Sequence, residues 1–160
     1  MGLADYLRTM GMSDGEKLFT FAQDCALILN IKFKKLTPAG ELETLLFGSL
    51  LVLTIYEKNH PNKYEEANRV FSNLLLKQAR KVTSQDTFDQ IKNGRIILYY
   101  EEYEALMKTK DYIPHNLFSI FYQNPLSKNI SHSNNIPELL KFASVLSYMV
   151  KTVEDSANKI

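Results

Sequence analysis

The sequence predicts an all-α fold, a single domain over residues 1–160 built as a bundle of five to six helices around a buried central helix at residues ~38–59. Three observations carry this expectation. The stretch Leu45–Tyr56 (LLFGSLLVLTIY) has no charged residue and turns apolar side chains to every direction of a helical wheel, as a helix buried on most sides does. Elsewhere apolar residues recur at spacings of three and four, and sustained strand alternation is confined to one ambiguous segment. The 160 residues are 45% hydrophobic and 23% charged, the balance of a globular chain long enough to bury a core without staples.

Taken in order, Leu3, Tyr6, Leu7 and Met10 suggest a short helical turn ended by Gly11. Ser13-Asp14-Gly15-Glu16 reads as a capping box, in which Ser13 and Glu16 exchange hydrogen bonds at a helix start. The helix that follows is expected to bury Leu18, Phe21, Ala22, Cys25, Leu29, Phe33 and Leu36. Lys32, Lys34 and Lys35 crowd its end, where cations suit the negative pole of the helix, and a phosphate-binding role is the less favoured reading. Cys25 is the single cysteine and lies on the apolar stripe, so an inert buried thiol is expected.

Thr37 caps the central helix and Pro38 suits its first position, where a missing amide hydrogen has no intrahelical partner to lose. Gly48-Ser49 in mid-helix forfeits roughly 1 kcal/mol of helix propensity relative to alanine, which points to another helix crossing closely there. Glu41, Glu43, Glu57 and Lys58 flank the apolar run too closely for a bilayer span of about 20 apolar residues, so no membrane association is expected. After the His60-Pro61 turn, Asn62 with Glu65 suggests a second capping box. The third helix should bury Tyr64, Ala67, Phe71, Leu74, Leu75, Ala79 and Val82.

Residues 88–100 are the ambiguous segment. Asn93-Gly94 between β-prone residues is a hairpin signal, whereas Tyr99, Tyr103 and Leu106 keep helical spacing. A long helix, with Gly94 a candidate kink, is the preferred reading. Pro114–Tyr122 predicts a short helix burying Leu117, Phe118, Phe121 and Tyr122. The polar run 123–135 reads as a connector or a lid, and Pro137 opens a final helix with the stripe Leu139/Leu140, Ala143, Leu146, Met149/Val150 and Val153, followed by a tail expected to fray.

The net charge of +1 supplies no field to gather nucleic acid, and no such partner is expected. The N-terminal residues lack a signal-peptide h-region and a myristoylation pattern, which makes a cytoplasmic location the expectation. No nucleophile elbow, C-x-x-C, H-E-x-x-H or glycine-rich phosphate loop occurs, and no cofactor is expected. The leading functional expectation is therefore a non-enzymatic helical interaction module acting through a protein partner or as a homodimer.

The alternative is a small-molecule binding or sensor domain, with a pocket near the tyrosine-rich helix and the 114–135 segment. Tyr99, Tyr103, His115, Phe118 and Tyr122 are its ligand-binding candidates, because ring area with a polar tip suits a binding wall. A metal-dependent hydrolase is the third reading. Glu57 and His60, three apart on a helix, are its weak metal candidates, with Glu101 and Glu104 as the further carboxylates it would use.

Overall fold

A computed structural model of the chain describes residues 8–109, 114–123 and 135–160, and every regular element among them is helical. In order these are α1 (Asp14–Phe33), α2 (Pro38–Asn59), α3 (Pro61–Val82), α4 (Gln85–Lys108), α5 (His115–Tyr122) and α6 (Ile136–Ala157). α2 is the hub: it packs against α1, α3, α4 and α6, and its Phe47 ring also meets Phe121 of α5. Among the described residues α2 alone is long and apolar enough to cross a membrane, and 72% of that apolar window is buried inside the protein by the other helices.

The helix ends follow local chemistry. Ser13 and Glu16 form the expected capping box, the Ser13 amide donating to Glu16 Oε2 at 2.7 Å. Thr37 Oγ1 accepts from the Gly40 amide, with Pro38 in the first turn of α2. Ser84 and Asn135 cap α4 and α6 in the same way.

The core is organised by ring contacts. Phe47 packs against Tyr99 and Tyr103 of α4, Phe121 of α5 and Phe142 of α6, with centroid separations of 5.1, 5.2, 5.2 and 5.9 Å. Such tilted and edge-on pairs are each worth about 0.5–1.5 kcal/mol beyond their burial. Phe33 joins from the end of α1, against Phe121 and Phe142. A smaller cluster of Leu42, Leu46, Ala79, Phe88 and Ile91 closes the α2–α3–α4 corner.

Several sequence expectations need correction. α1 ends at Phe33, where Lys34 takes a left-handed conformation (φ 53°), so Leu36 leaves the buried stripe and is 68% exposed. α3 begins at Pro61, directly after His60, which leaves Asn62 inside the helix and without a capping role. The hairpin alternative at residues 88–100 gives way to helix: α4 runs through Gly94 without interruption. On α6, Phe142 is buried in place of Leu140, and Ser156 and Ala157 are buried where fraying was expected. Of the expected turn over Leu3, Tyr6, Leu7 and Met10, only Met10 is among the described residues, 65% exposed and followed by Gly11 at φ 80°. Residues 124–134 of the connector or lid also lie outside them.

Two of the helical glycines, Gly48 and Gly94, have opposite surroundings. A Cβ on Gly48 would sit 2.8 Å from the Ala22 carbonyl oxygen and 3.0 Å from Cys25 Cβ, because α1 crosses α2 there, as the small pair Gly48-Ser49 suggests. A Cβ on Gly94 would meet nothing within 4 Å. Gly48→Ala is therefore expected to lose about 1–3 kcal/mol of stability through overpacking against backbone. Gly94→Ala should gain about 0.4–1 kcal/mol by restricting the unfolded chain. Urea unfolding of the two variants beside the parent checks both signs; equal effects would mean that α1 and α2 do not cross at Gly48.

Candidate functional site

The site begins with a carboxylate that has no access to water. Glu43 lies in the second turn of α2 and is fully buried, within the run 42–49 that is buried throughout. An ionised carboxylate in that position requires paired partners. Three side chains provide them, two from α4 and one from the α1–α2 connector. Tyr99 of α4 donates its hydroxyl hydrogen to Glu43 Oε1 at 2.6 Å, and the Arg95 guanidinium, one turn earlier on α4, lies 3.4 Å from the same oxygen. Lys35, in the α1–α2 connector, donates to Glu43 Oε2.

The left-handed turn at Lys34 makes the third contact feasible. It stops α1 and redirects the chain so that Lys35 turns inward, at a conformational cost of about 1–2 kcal/mol for a non-glycine residue. Lys35 also stands 4.2 Å over the centroid of the Phe121 ring. Its side chain is only 13% exposed.

Burial dominates the electrostatics. It pushes the Glu43 carboxyl above the usual carboxylate range, against the opposing pull of Lys35, Tyr99 and Arg95. Burial likewise pushes the Lys35 ammonium below its ordinary value, opposed chiefly by Glu43. Tyr99 is raised well above a normal phenol by burial first and by the neighbouring Glu43 charge second. Tyr99 therefore holds its proton and acts as a fixed donor to Glu43. A second buried polar contact lies beside Glu43, where the fully buried Thr44 hydroxyl is 2.8 Å from Asn30 Oδ1.

A cleft of about 400 Å³ opens on the Lys35 side of this network. Phe33 and Lys34 from the end of α1 and Lys35, Leu36 and Thr37 from the connector form one wall. Ala39 and Gly40 at the start of α2, Phe121, Tyr122 and Gln123 at the end of α5, and Glu138 of α6 complete it. Its volume falls within the range of small-molecule sites.

The ligand-binding residues expected from sequence are distributed around this region and do not form one surface. Tyr122 lines the cleft and is 48% exposed. Phe118 lies behind it, ring to ring at 5.1 Å, and is fully buried. Tyr99 is on the inner side of the Glu43 network, while Tyr103 donates to the Phe47 carbonyl at 2.9 Å. His115 is half-buried at the start of α5, away from the cleft wall.

The metal candidates Glu57 and His60 are at the other end of α2. The His60 ring nitrogen is 2.9 Å from the Ala157 carbonyl oxygen, which ties the α2–α3 junction to the end of α6. No grouping of three or more His, Cys, Asp or Glu side chains suited to a metal ion occurs among the described residues. Glu104 pairs with Lys108 at 3.3 Å on the outer face of α4. Cys25 is buried, and its thiol is pushed up to about 12 by burial and by Asp24, so it is a poor nucleophile.

Sequence reasoning missed Glu43 and Arg95, and it set Lys35 among the cations at the end of α1, with an anion-binding role the less favoured reading. A signal for Glu43 and Arg95 was present. Phe88, Ile91, Arg95, Tyr99 and Tyr103 form one buried stripe on α4, with Arg95 in its middle. Glu43 stands four residues before Phe47, on a helix whose apolar run marks it as buried on most sides. No protein-family model, curated protein or solved structure matches this chain.

Removing the carboxylate while leaving its cations buried should be costly. Glu43→Ala is expected to lower stability by about 3–5 kcal/mol, the typical result of breaking a buried ion pair from one side. Chemical denaturation measures this; a loss under 1 kcal/mol would place Glu43 in water rather than in the core.

Proposed function

We propose that this chain is a small-molecule binding domain whose ligand occupies the cleft between the ends of α1 and α5 and the start of α2. The observation that supports this reading most is the coincidence of a cleft of about 400 Å³ with a buried ionic network in its wall. Strongly desolvated ionisable groups beside a cavity are enriched at functional sites, because folding bears their burial cost. The aromatic cluster fixes the wall that carries Phe121, so the site is preformed.

A screen of small metabolites followed by amide NMR on the full chain tests this. Binders are expected to shift resonances of Leu36, Ala39, Gly40 and Tyr122, and Tyr122→Ala should weaken them several-fold by removing an exposed ring wall. Hits that shift only other regions, or that bind Tyr122→Ala unchanged, would count against the cleft.

A second reading keeps the interaction module, with a second copy of this chain as the partner. It is favoured by large apolar side chains on the outer faces of two neighbouring helices. Leu27 and Ile31 of α1 are 57% and 65% exposed, and Leu140 and Tyr148 of α6 are 66% and 61% exposed. The helices are joined at their edge, where Lys141 Nζ donates to the Lys32 carbonyl at 2.6 Å. An apolar centre with lysines at the rim has the anatomy of an interface. Sedimentation at rising concentration should then show a dimer that Ile31→Glu dissociates; a monomer throughout would remove this reading.

A further inference from the structure

We propose that the cleft takes a monoanionic carboxylate carried on an apolar, ring-sized body, with its head group accepting a hydrogen bond from Lys35. This rests on the cleft being a small-molecule site and adds the chemical class of the ligand.

The head group follows from the donors of Lys35. An ammonium has three hydrogens. Glu43 accepts one, and the face of Phe121 attracts the charge from a second direction. Among the described residues no other acceptor meets Lys35, and Lys35 forms part of the cleft wall. A ligand oxygen would satisfy the remaining donor, and a charged oxygen gives the stronger bond. Lys34 and the first turn of α2, at Thr37–Gly40, face the same space, and both favour negative charge.

The limit of one charge follows from the donors left open beside the two carboxylates. Glu138 lines the cleft, and Glu43 stands behind Lys35. Each already has a further cation, Arg95 at 3.4 Å from Glu43 and Lys141 at 3.9 Å from Glu138, so one remaining Lys35 donor, with no arginine fork among the described lining residues, suits a carboxylate better than a phosphate dianion. The body of the ligand follows from the surface it would cover. Leu36 is 68% exposed and Tyr122 is 48% exposed, and both line the cleft beside Phe33 and Phe121. Removing that apolar area from water favours a ring or short hydrocarbon chain over a polar body.

The test titrates 4-phenylbutyrate, 4-phenylbutanol, 4-phenylbutylamine and phenyl phosphate into the ¹⁵N-labelled full chain and follows its amides. The carboxylate is expected to shift Leu36, Ala39, Gly40 and Tyr122 and to bind about tenfold tighter than the alcohol, the factor a charge-assisted hydrogen bond gives. The amine and the phosphate should bind more weakly than the carboxylate.

Lys35→Met should abolish the preference for acid over alcohol. Because that substitution leaves Glu43 buried and short of a cation, Leu36→Glu at an exposed position provides a variant that spares the core. Its added negative charge should also close the gap between acid and alcohol. Equal binding of alcohol or amine at these same amides, tighter binding of the phosphate, or an acid preference that survives Leu36→Glu would overturn the carboxylate assignment and leave the cleft reading standing. No cleft shift from any of the four probes would overturn both.

Discussion

The constraint on which the rest of this structure depends is that α2 has almost no face for solvent. Other helices must cover it, and each covering helix meets a specific demand of its sequence. α1 approaches where Gly48 removes the side chain that would hold it off. α4, α5 and α6 converge on Phe47, whose ring contacts four others at once. The same enclosure traps Glu43. A carboxylate one turn beyond the helix start would ordinarily be solvated and would favour the positive helix end. Here it lies inside the bundle, and the fold must supply Tyr99, Arg95 and Lys35 around it.

That requirement explains the course of the chain between α1 and α2. The connector could have left all three lysines on the surface as a solvated cluster at the end of α1. Instead, the left-handed residue Lys34 separates them: Lys32 is exposed on the last helical turn, whereas Lys35 turns inward. The turn leaves a hollow beside Lys35, because α1 has stopped and α2 has only begun. Phe121 and Tyr122 close the hollow from the end of α5. The cleft and the buried ion pair are thus two consequences of one turn, which is why we read them together as a site.

The buried network is also an energetic liability. Desolvation works against both members of the Lys35–Glu43 pair, raising one and lowering the other relative to their ordinary values. Apolar residues of similar volume would serve stability as well or better in such a position. A strained backbone residue beside the pair adds to the cost. Stability alone therefore gives no reason for this arrangement, whereas a preorganised cation at the edge of a cleft does.

The sequence by itself determined the all-helical class, the bounds of α2, the caps at Ser13 and Thr37 and the close crossing at Gly48. Each of these is set by neighbours three or four residues apart: apolar periodicity, a side chain that bonds a nearby amide, a small residue in a bulky run. It also carried a faint mark of the site, in the arginine at the centre of the apolar stripe of α4. Only the tertiary structure decided that Lys35 and Glu43 pair, that Leu36 is exposed, that Phe142 rather than Leu140 faces the core, and that Tyr122 rather than Tyr99 or Tyr103 reaches the cleft. The physical reason is that one left-handed residue changes the direction of every side chain after it, and that the partners of Glu43 come from segments 8 and 56 residues away in the chain. Local periodicity specifies which face of a helix is apolar, but it does not specify which distant side chain that face will meet.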